Sequence, residues 1–212
     1  MWYNLCPMRS ISRGVVVLAA GDFPRVGSEA RRILASARIV VCCDGAADAY
    51  RRRMKREPDV VVGDGDSLRG EFANVVRVPE QETNDLEKAL AYCRQKGYKA
   101  PVVVGATGKR EDHTLGNIFR AFAWGVEIVT DFGRFIPIEG RATLSVKKGA
   151  AVSVFATDPR TRVTSTGLAW PLDGVKFRNL YCATLNRATA ARVTLTASRP
   201  VYVYVEGERV KR

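Results

Sequence analysis

The sequence predicts an α/β protein in two parts: an N-terminal Rossmann-like, mostly parallel sheet with flanking helices, then a smaller C-terminal all-β sandwich. Between residues 15 and 130, short apolar runs alternate with longer amphipathic segments, which is typical of a parallel sheet covered by helices. After about residue 132 the helical periodicity disappears, and short β-rich runs separated by Gly, Pro, Asp and Asn replace it. We therefore predict one domain at 1–132 and a second at 133–212.

Most of the predicted strands in the N-terminal part are continuous apolar runs rather than alternating ones. This pattern is expected for strands that helices cover on both faces. The six runs lie at residues 15–20, 39–43, 60–62, 75–78, 102–104 and 126–129.

Two segments between these strands have the periodicity of amphipathic helices, with apolar residues at the i, i+3, i+4 and i+7 positions of one face. At the start of the first, Asn84 and Glu87 resemble a capping box, and Gly97 is placed to end that helix. Gly125 closes the second. The predicted buried residues are Leu86, Ala89, Leu90 and Cys93 in the first helix, and Leu115, Ile118, Phe119 and Phe122 in the second.

Five segments of the C-terminal part are predicted to be β-strands. Several of them alternate apolar and polar residues, as half-buried antiparallel strands do. The clearest are ATLSV, AAVSVFA, TRVTST, ARVTLTA and PVYVYVEG.

The composition favours a cytoplasmic protein that does not enter a membrane. No apolar run approaches the ~18 residues that a membrane-spanning helix needs. Arg9 and Arg13 precede GVVVLAAG, which superficially resembles a secretion signal, but the short apolar run fits a first buried strand better. The five cysteines are odd in number and include no C-x-x-C pair, so we expect a reducing compartment.

The net charge of +12 is compatible with nucleic acid, an anionic surface or a polyanionic small molecule as a partner. The densest basic cluster, YRRRMKRE at residues 50–57, falls on a predicted helix and has no interleaved aromatic residue beyond Tyr50. A solvated helix face is the favoured interpretation, and we predict no nucleic-acid partner.

Four polar segments follow predicted strands or open the helices after them. Because ligands of an open α/β sheet bind outside the carboxyl ends of its strands, these segments are expected at one edge of the sheet. The segments are CCDGAA, VVVGDGDS, ETNDLEKA and GATGKREDH. They bring together Asp44, Asp64, Asp66, Asp85 and Asp112, with Lys109, Arg110 and His113.

Asp64 and Asp66 are two residues apart, so in an extended backbone both side chains leave the same face. Two ionised carboxylates this close repel each other unless a cation lies between them. A site without Cys or His ligands suits Mg²⁺, which binds through carboxylates, waters and substrate phosphates. Asp85, in the first turn of its helix, is a third candidate ligand. Each aspartate alone is also a common turn or cap residue, and the matching positions of the four segments favour a site.

The segment GATGKR is not a Walker motif, because only two residues separate Gly105 from Gly108 and Arg110 follows Lys109. A glycine turn with two cations at the start of a helix can still hold phosphates through backbone N–H groups and charge. For His113, a local cap or packing role and a contact with substrate or phosphate both stay open.

Taken in order, CDGAA, PDVVVGDGDSL, NDLEKAL and GATGKREDHTLGN resemble the motif series of the thiamine pyrophosphokinase family. The similarity continues through TSTGLAWPLDG and ATLNRA and spans residues from about 15 to 205. It implies a catalytic domain at 1–132 that binds ATP and Mg²⁺, a thiamine-binding sandwich at 133–212, and a homodimer with shared active sites. It also implies the reaction, in which ATP and thiamine give AMP and thiamine diphosphate.

The resemblance implies a role for each matching residue. Catalytic and metal-binding roles fall on Asp64, Asp66 and Asp85. Roles in ATP or phosphate binding fall on Asp44, Gly45, Lys109, Arg110, Asp112 and His113. Thiamine-binding roles fall on Trp170 and Asn186, although a tryptophan in the core of a sandwich is an alternative for Trp170.

The sequence departs from the family at four positions without losing a metal carboxylate. Gly65 stands where the family usually has a bulky apolar residue, and Leu185 replaces the Ser before Asn186. Ala46 replaces the second Gly of D-G-G, and Asn84 replaces the Thr of T-D. Two less favoured functions are a diphosphokinase for another hydroxymethyl heterocycle, such as a pterin, and a basic nucleic-acid-binding protein.

Overall fold

The structure is a computed structural model that describes residues 14–207, and these residues form two compact units. Residues 14–131 form the first, which we call the α/β unit, and residues 132–207 form the second, which we call the β unit. Together the two units contain eleven strands and four helices within the described residues. The mixed α/β class predicted from the sequence is confirmed.

The α/β unit is built on six strands, and all of their pairings are parallel, as predicted. The strand order is β4-β3-β2-β1-β5-β6, so the chain moves outward from β1 to β4 and then crosses to the other side for β5. The strands are β1 (Val15–Leu18), β2 (Ile39–Cys43), β3 (Val60–Gly63), β4 (Val75–Arg77), β5 (Val102–Val104) and β6 (Glu127–Val129). The helices are α1 (Glu29–Ser36), α2 (Asp44–Met54), α3 (Asp85–Gln95) and α4 (Glu111–Ala123).

The core of the α/β unit lies along the central strands. Four valines of the central strands have no exposed surface: Val17, Val40, Val61 and Val103. The continuous apolar runs predicted this burial, because they indicate strands covered on both faces. Each such side chain contributes roughly 1.5–3 kcal/mol of hydrophobic stabilisation relative to an exposed one. This core holds the carboxyl ends of the strands in fixed positions.

Helix α3 agrees with its predicted pattern. Asn84 is its N-cap, and the side-chain oxygen of Asn84 accepts a hydrogen bond from the Glu87 N–H at 3.1 Å. Asn84 therefore caps the helix, at a position where the family that the sequence resembles usually has threonine. The predicted stripe is buried: Leu86, Ala89, Leu90 and Cys93.

The predicted stripe of helix α4 is wrong in part, because Leu115 is 58% exposed and Phe119 is 39% exposed. The buried face is centred instead on Asn117, Ala121 and Phe122. Asn117 tolerates burial because its amide donates to the Ala106 carbonyl and its side-chain oxygen accepts from Asn84, both at 3.0 Å. These two hydrogen bonds fix the buried face of α4, and hydrophobic periodicity does not indicate that face.

The β unit consists of antiparallel strands, as predicted, around a second apolar core. Its two longest strands, β7 and β11, pair along most of their length, with a register shift between Ala197 and Val201. Before the shift β11 also pairs with β9, and after it with β8. The strands are β7 (Gly133–Ser145), β8 (Ala151–Phe155), β9 (Val163–Thr166), β10 (Ala183–Arg187) and β11 (Arg192–Glu206). The description of this unit as a sandwich stays a prediction.

None of the four helices is both long enough and apolar enough to cross a membrane, as far as residues 14–207 are concerned.

Candidate active site

Three carboxylates meet at the carboxyl edge of the parallel sheet. Asp44 begins α2 directly after β2, Asp64 follows β3, and Asp85 begins α3. One oxygen atom from each of them lies within 4.8 Å of the others. All three residues were predicted to lie at this edge, and we call them the carboxylate triad.

Asp44 is the most deeply buried member, with 1% of its surface exposed. One of its oxygens, Oδ2, accepts from the backbone N–H groups of Gly65 at 3.1 Å and Ser67 at 3.5 Å, and Oδ1 accepts from that of Gly45. A Cβ atom on Gly63 would lie 2.7 Å from Asp44 Cγ, so only glycine leaves room for this carboxylate at the end of β3. The backbone therefore fixes Asp44 and partly offsets the cost of its burial.

Asp64 is held by the loop that follows β3. Its Oδ1 accepts from the Asp66 N–H and its Oδ2 from the Gln81 side-chain amide, both at 3.1 Å. These two bonds, the Asp66 N–H first, lower the pKa of Asp64 below its usual value, and the charge of Lys88 adds to the effect. Gln81 was not foreseen, because nothing in the sequence pattern distinguishes it from other polar loop residues.

The extended geometry expected for the Asp64–Asp66 pair is wrong. Gly65 has a φ of 93°, a left-handed value that favours glycine, and the chain turns there. Asp66 is exposed and is not part of the metal-binding group found among residues 14–207. Asp44 completes that group instead.

Lys88 supplies a cation to the triad. Lys88 is only 4% exposed, and its Nζ atom lies 3.7 Å from Asp64 Oδ2 and 3.8 Å from Asp85 Oδ1. Lys88 was not predicted as a site residue, although its i, i+3 spacing from Asp85 within NDLEKAL is a usable signal. A buried lysine with two carboxylate partners is a positioning and charge-balancing element of the site.

Asp85 has the opposite electrostatic environment from Asp64. Burial, and then the charge of Asp44, raise its pKa to about 7, even though Lys88 acts in the other direction. The three carboxylates therefore lie close together, with the buried Lys88 beside two of them. The donor set is all oxygen, which fits a hard divalent cation such as Mg²⁺.

We predict that replacing Asp85 by asparagine stabilises the metal-free protein at alkaline pH. Because the folded-state pKa of Asp85 is raised, the folded protein keeps a proton that the unfolded chain releases, so stability falls as pH rises from about 4 to about 7. Asp85→Asn removes this penalty and should raise the free energy of unfolding at about pH 8 by roughly 1 kcal/mol, allowing for partial exposure. Urea unfolding with a chelator at pH 5 and pH 8 measures the difference.

The exposed Asp66→Asn is the matched control for that measurement and should change stability equally at the two pH values. A stability difference between Asp85→Asn and the parent protein that is the same at pH 5 and pH 8 would contradict the prediction.

The residues of GATGKR and the start of α4 form a separate group. Lys109, with a φ of 57°, donates from Nζ to the Ala20 carbonyl at 2.7 Å. Arg110 is paired with Asp112, through Nε to Oδ1 at 3.1 Å and Nη2 to Oδ2 at 2.6 Å, and this pairing lowers the pKa of Asp112. His113 is exposed in the first turn of α4.

The loop that carries Lys109 packs against the loop that follows β1. Backbone bonds join Gly21 N–H to the Gly105 carbonyl at 2.7 Å and Asp22 N–H to the Thr107 carbonyl at 2.8 Å. Because β1 and β5 are neighbours at the point where the strand order reverses, these loops occupy the crevice where doubly wound sheets bind ligands.

In the β unit, Trp170 is 60% exposed and is therefore not a core tryptophan. Asn186 is 4% exposed and holds the Trp170 backbone from both sides: its Oδ1 accepts from the Trp170 N–H at 3.1 Å, and its Nδ2 donates to the Trp170 carbonyl at 2.6 Å. Leu185, which precedes it, is 84% exposed and has a φ of 63°. The amide of Asn186 is thus engaged in positioning the tryptophan.

Sequence comparison finds one family in both units. The family model described as "Thiamin pyrophosphokinase, catalytic domain" matches residues 30–129, and "Thiamin pyrophosphokinase, substrate-binding domain" matches residues 133–204. The chain is 24% identical to thiamin pyrophosphokinase 1 of Caenorhabditis elegans, covering 92% of this chain and 89% of the relative. It is 28% identical to thiamine pyrophosphokinase 1 of Oryza sativa subsp. japonica, where the match covers 65% of this chain and 66% of the relative.

Solved structures show the same fold. A thiamin pyrophosphokinase family protein from Enterococcus faecalis aligns with a TM-score of 0.74 at 14% identity, covering 93% of this chain and all of the other. Thiamin pyrophosphokinase from Candida albicans aligns with a TM-score of 0.68 at 15% identity, covering 96% of each chain.

Proposed function

We propose that this chain, which belongs to the thiamin pyrophosphokinase family, transfers the diphosphoryl group of ATP to the hydroxyl group of thiamine and releases AMP. The observation that carries the proposal is the carboxylate triad at the carboxyl edge of the sheet, in a chain where both domains of the family are matched. The match to a thiamin-type substrate-binding domain favours thiamine over a pterin as the acceptor.

We propose that the triad binds the metal ion of the reaction. Asp44, Asp64 and Asp85 would hold Mg²⁺, and the resemblance adds Asp66 from the same loop. When bound, the ion supplies positive charge against the phosphate oxygens of ATP. Three carboxylate oxygens without a Cys or His ligand support this choice of ion.

The chain's own residues would act mainly by positioning and charge. Lys88 holds Asp64 and Asp85 in place and balances part of their charge. The α/β unit would bind ATP, with Lys109, Arg110 and the surrounding N–H groups near its phosphates and with Asp112 and His113 beside them. Transfer of a phosphoryl or diphosphoryl group depends chiefly on alignment and electrostatic stabilisation, which such an arrangement supplies.

The β unit would bind thiamine through Trp170. An exposed indole whose backbone is fixed by a buried asparagine is suited to stack on the cationic ring of the vitamin. In this proposal Asn186 acts through the tryptophan.

We predict that Trp170→Ala raises the KM for thiamine about tenfold and leaves the KM for ATP unchanged. Loss of a cation–π contact of roughly 0.5–2 kcal/mol gives a factor of this size. Steady-state rates with each substrate varied in turn measure both constants. Trp170→Phe, which keeps an aromatic face, should recover most of the affinity, and an equal rise in both KM values would contradict a thiamine-specific role.

The decisive experiment on the function is an incubation of the protein with ATP, Mg²⁺ and thiamine, followed by mass spectrometry. AMP and thiamine diphosphate should form in equal amounts, and neither should form when thiamine is omitted. ATP consumption that yields ADP and thiamine monophosphate would contradict the proposal, as would transfer to a hydroxymethylpterin in preference to thiamine.

We also propose a homodimer in the cytoplasm, with active sites shared between subunits. Exposed apolar side chains support association: Leu115, Phe119, Trp170, Tyr181 and Leu185. The described cysteines are free: Cys42, Cys43, Cys93 and Cys182. This is compatible with a reducing compartment. Light scattering on an eluted gel-filtration peak gives the oligomeric state.

A further inference from the structure

The side chain of Arg77 occupies the position where a side chain on residue 65 would lie. A Cβ atom on Gly65 would lie 2.0 Å from Nη1 of Arg77, a separation that no real side chain adopts. The same Nη1 donates to the Asp64 carbonyl oxygen at 3.3 Å. The guanidinium therefore lies over the turn between Asp64 and Asp66, in the place where a bulky side chain at position 65 would stand.

The backbone holds Arg77 at this position. Arg77 is the last residue of β4 and is paired in register with Gly63 at the end of β3. The next residue, Val78, donates its N–H to the Gly63 carbonyl at 2.8 Å. Two adjacent parallel strands thus bring the arginine beside the residue that precedes Asp64.

The positive charge of Arg77 is not committed to a carboxylate. The residue is exposed, and no carboxylate oxygen among residues 14–207 lies within 4.0 Å of its guanidinium nitrogens. Other cations near the site differ: Lys88 is buried against Asp64 and Asp85, and Arg110 is paired with Asp112. Lys109 donates to a backbone carbonyl in the loop after β1. Arg77 therefore has guanidinium donors available to a ligand beside the triad.

We propose that Arg77 binds the polyphosphate of the substrate nucleotide, and that Gly65 is the residue that admits it. The inference rests on the proposed function, since it places the phosphates of ATP beside the carboxylate triad. A guanidinium presents paired N–H donors that match phosphate oxygens, and next to three carboxylates it offsets a field that repels an anionic substrate. Gly65 and Arg77 form a matched pair in this chain.

Nucleotide binding by calorimetry in the presence of Mg²⁺ tests the proposal, with ATP and AMP as probes. Arg77→Gln should weaken ATP binding about tenfold, as expected for a lost charge-assisted hydrogen bond, and should weaken AMP binding twofold or less because AMP lacks the β- and γ-phosphates. Arg69→Gln removes an equal charge from an exposed arginine in the loop between β3 and β4 and should leave both affinities unchanged.

A second variant tests the pairing with Gly65. Gly65→Leu should displace the guanidinium and reproduce the selective loss of ATP affinity, and the double variant with Arg77→Gln should lose no more than either single variant. Thermal unfolding checks that each variant folds. Since Arg77→Gln alters only an exposed side chain, it decides the question by itself if Gly65→Leu does not fold.

Several results would overturn the inference: unchanged ATP affinity in Arg77→Gln, equal losses for ATP and AMP, or the same loss in Arg69→Gln. These results are separable from a failure of the proposed function. If the parent protein makes thiamine diphosphate and Arg77→Gln binds ATP normally, only the role of Arg77 fails. If no thiamine product forms while Arg77→Gln selectively loses ATP affinity, the phosphate contact stands and the acceptor is wrong.

Discussion

Replacing Asp64 with asparagine should lower the rate of AMP formation by about a hundredfold to a thousandfold and leave the fold intact. The amide keeps the shape of the side chain but removes one of three negative charges that would hold the metal ion, and the loss of one electrostatic contact to a transition state has an effect on the order of 10²–10³. Asp64 also faces Lys88 at 3.7 Å, so its charge orients a second group. Release of AMP and thiamine diphosphate, followed by mass spectrometry, gives the rate.

Asp66→Asn is the informative comparison, because the sequence predicts Asp66 as a ligand while the triad contains Asp44 in its place. If the triad geometry governs metal binding, Asp44→Asn should match Asp64→Asn, and Asp66→Asn should retain more activity than either. Turnover of Asp64→Asn at the parental rate would remove the triad from the mechanism altogether. Urea unfolding of each variant separates lost chemistry from lost stability.

The strands and the position of the acidic residues at one sheet edge were predictable, whereas the predicted ligand set contained Asp66 where the triad contains Asp44. Continuous valine runs require burial on both faces, which places the strands within one or two residues of their observed bounds. Polar residues that follow parallel strands then share one edge by topology alone, so Asp44, Asp64 and Asp85 were placed together without coordinates.

The errors in the site have physical causes that the pattern does not contain. The expected alignment of Asp64 with Asp66 assumed an extended backbone, but Gly65 adopts a φ of 93°. The face of α4 was misassigned in part, because the hydrogen-bonded Asn117 lies on the buried face while Leu115 and Phe119 are exposed. Arg77 was missed because its position depends on the register of β3 and β4, which a sequence pattern does not fix.

Replacing Lys88 with methionine should destabilise the metal-free protein by about 3 kcal/mol. Methionine fills a similar volume but removes the cation that lies 3.7 Å from Asp64 and 3.8 Å from Asp85, and breaking a buried ion pair from one side costs on the order of 3–5 kcal/mol. The value is at the lower end because both carboxylates are partly exposed and Asp85 can take up a proton. Urea unfolding in a chelating buffer measures the loss.

Mg²⁺ should restore much of that stability, because an ion at the triad supplies the charge that Lys88 no longer does. The midpoint of thermal unfolding should therefore rise more on addition of Mg²⁺ in Lys88→Met than in the parent protein, by linkage of binding to folding. Lys96→Met, at the exposed end of α3, controls for the loss of a lysine elsewhere on the same helix. An equal response to Mg²⁺ in all three proteins would mean that the lysine and the metal ion do not share the triad, and it would assign Lys88 to the packing of α3 against the sheet.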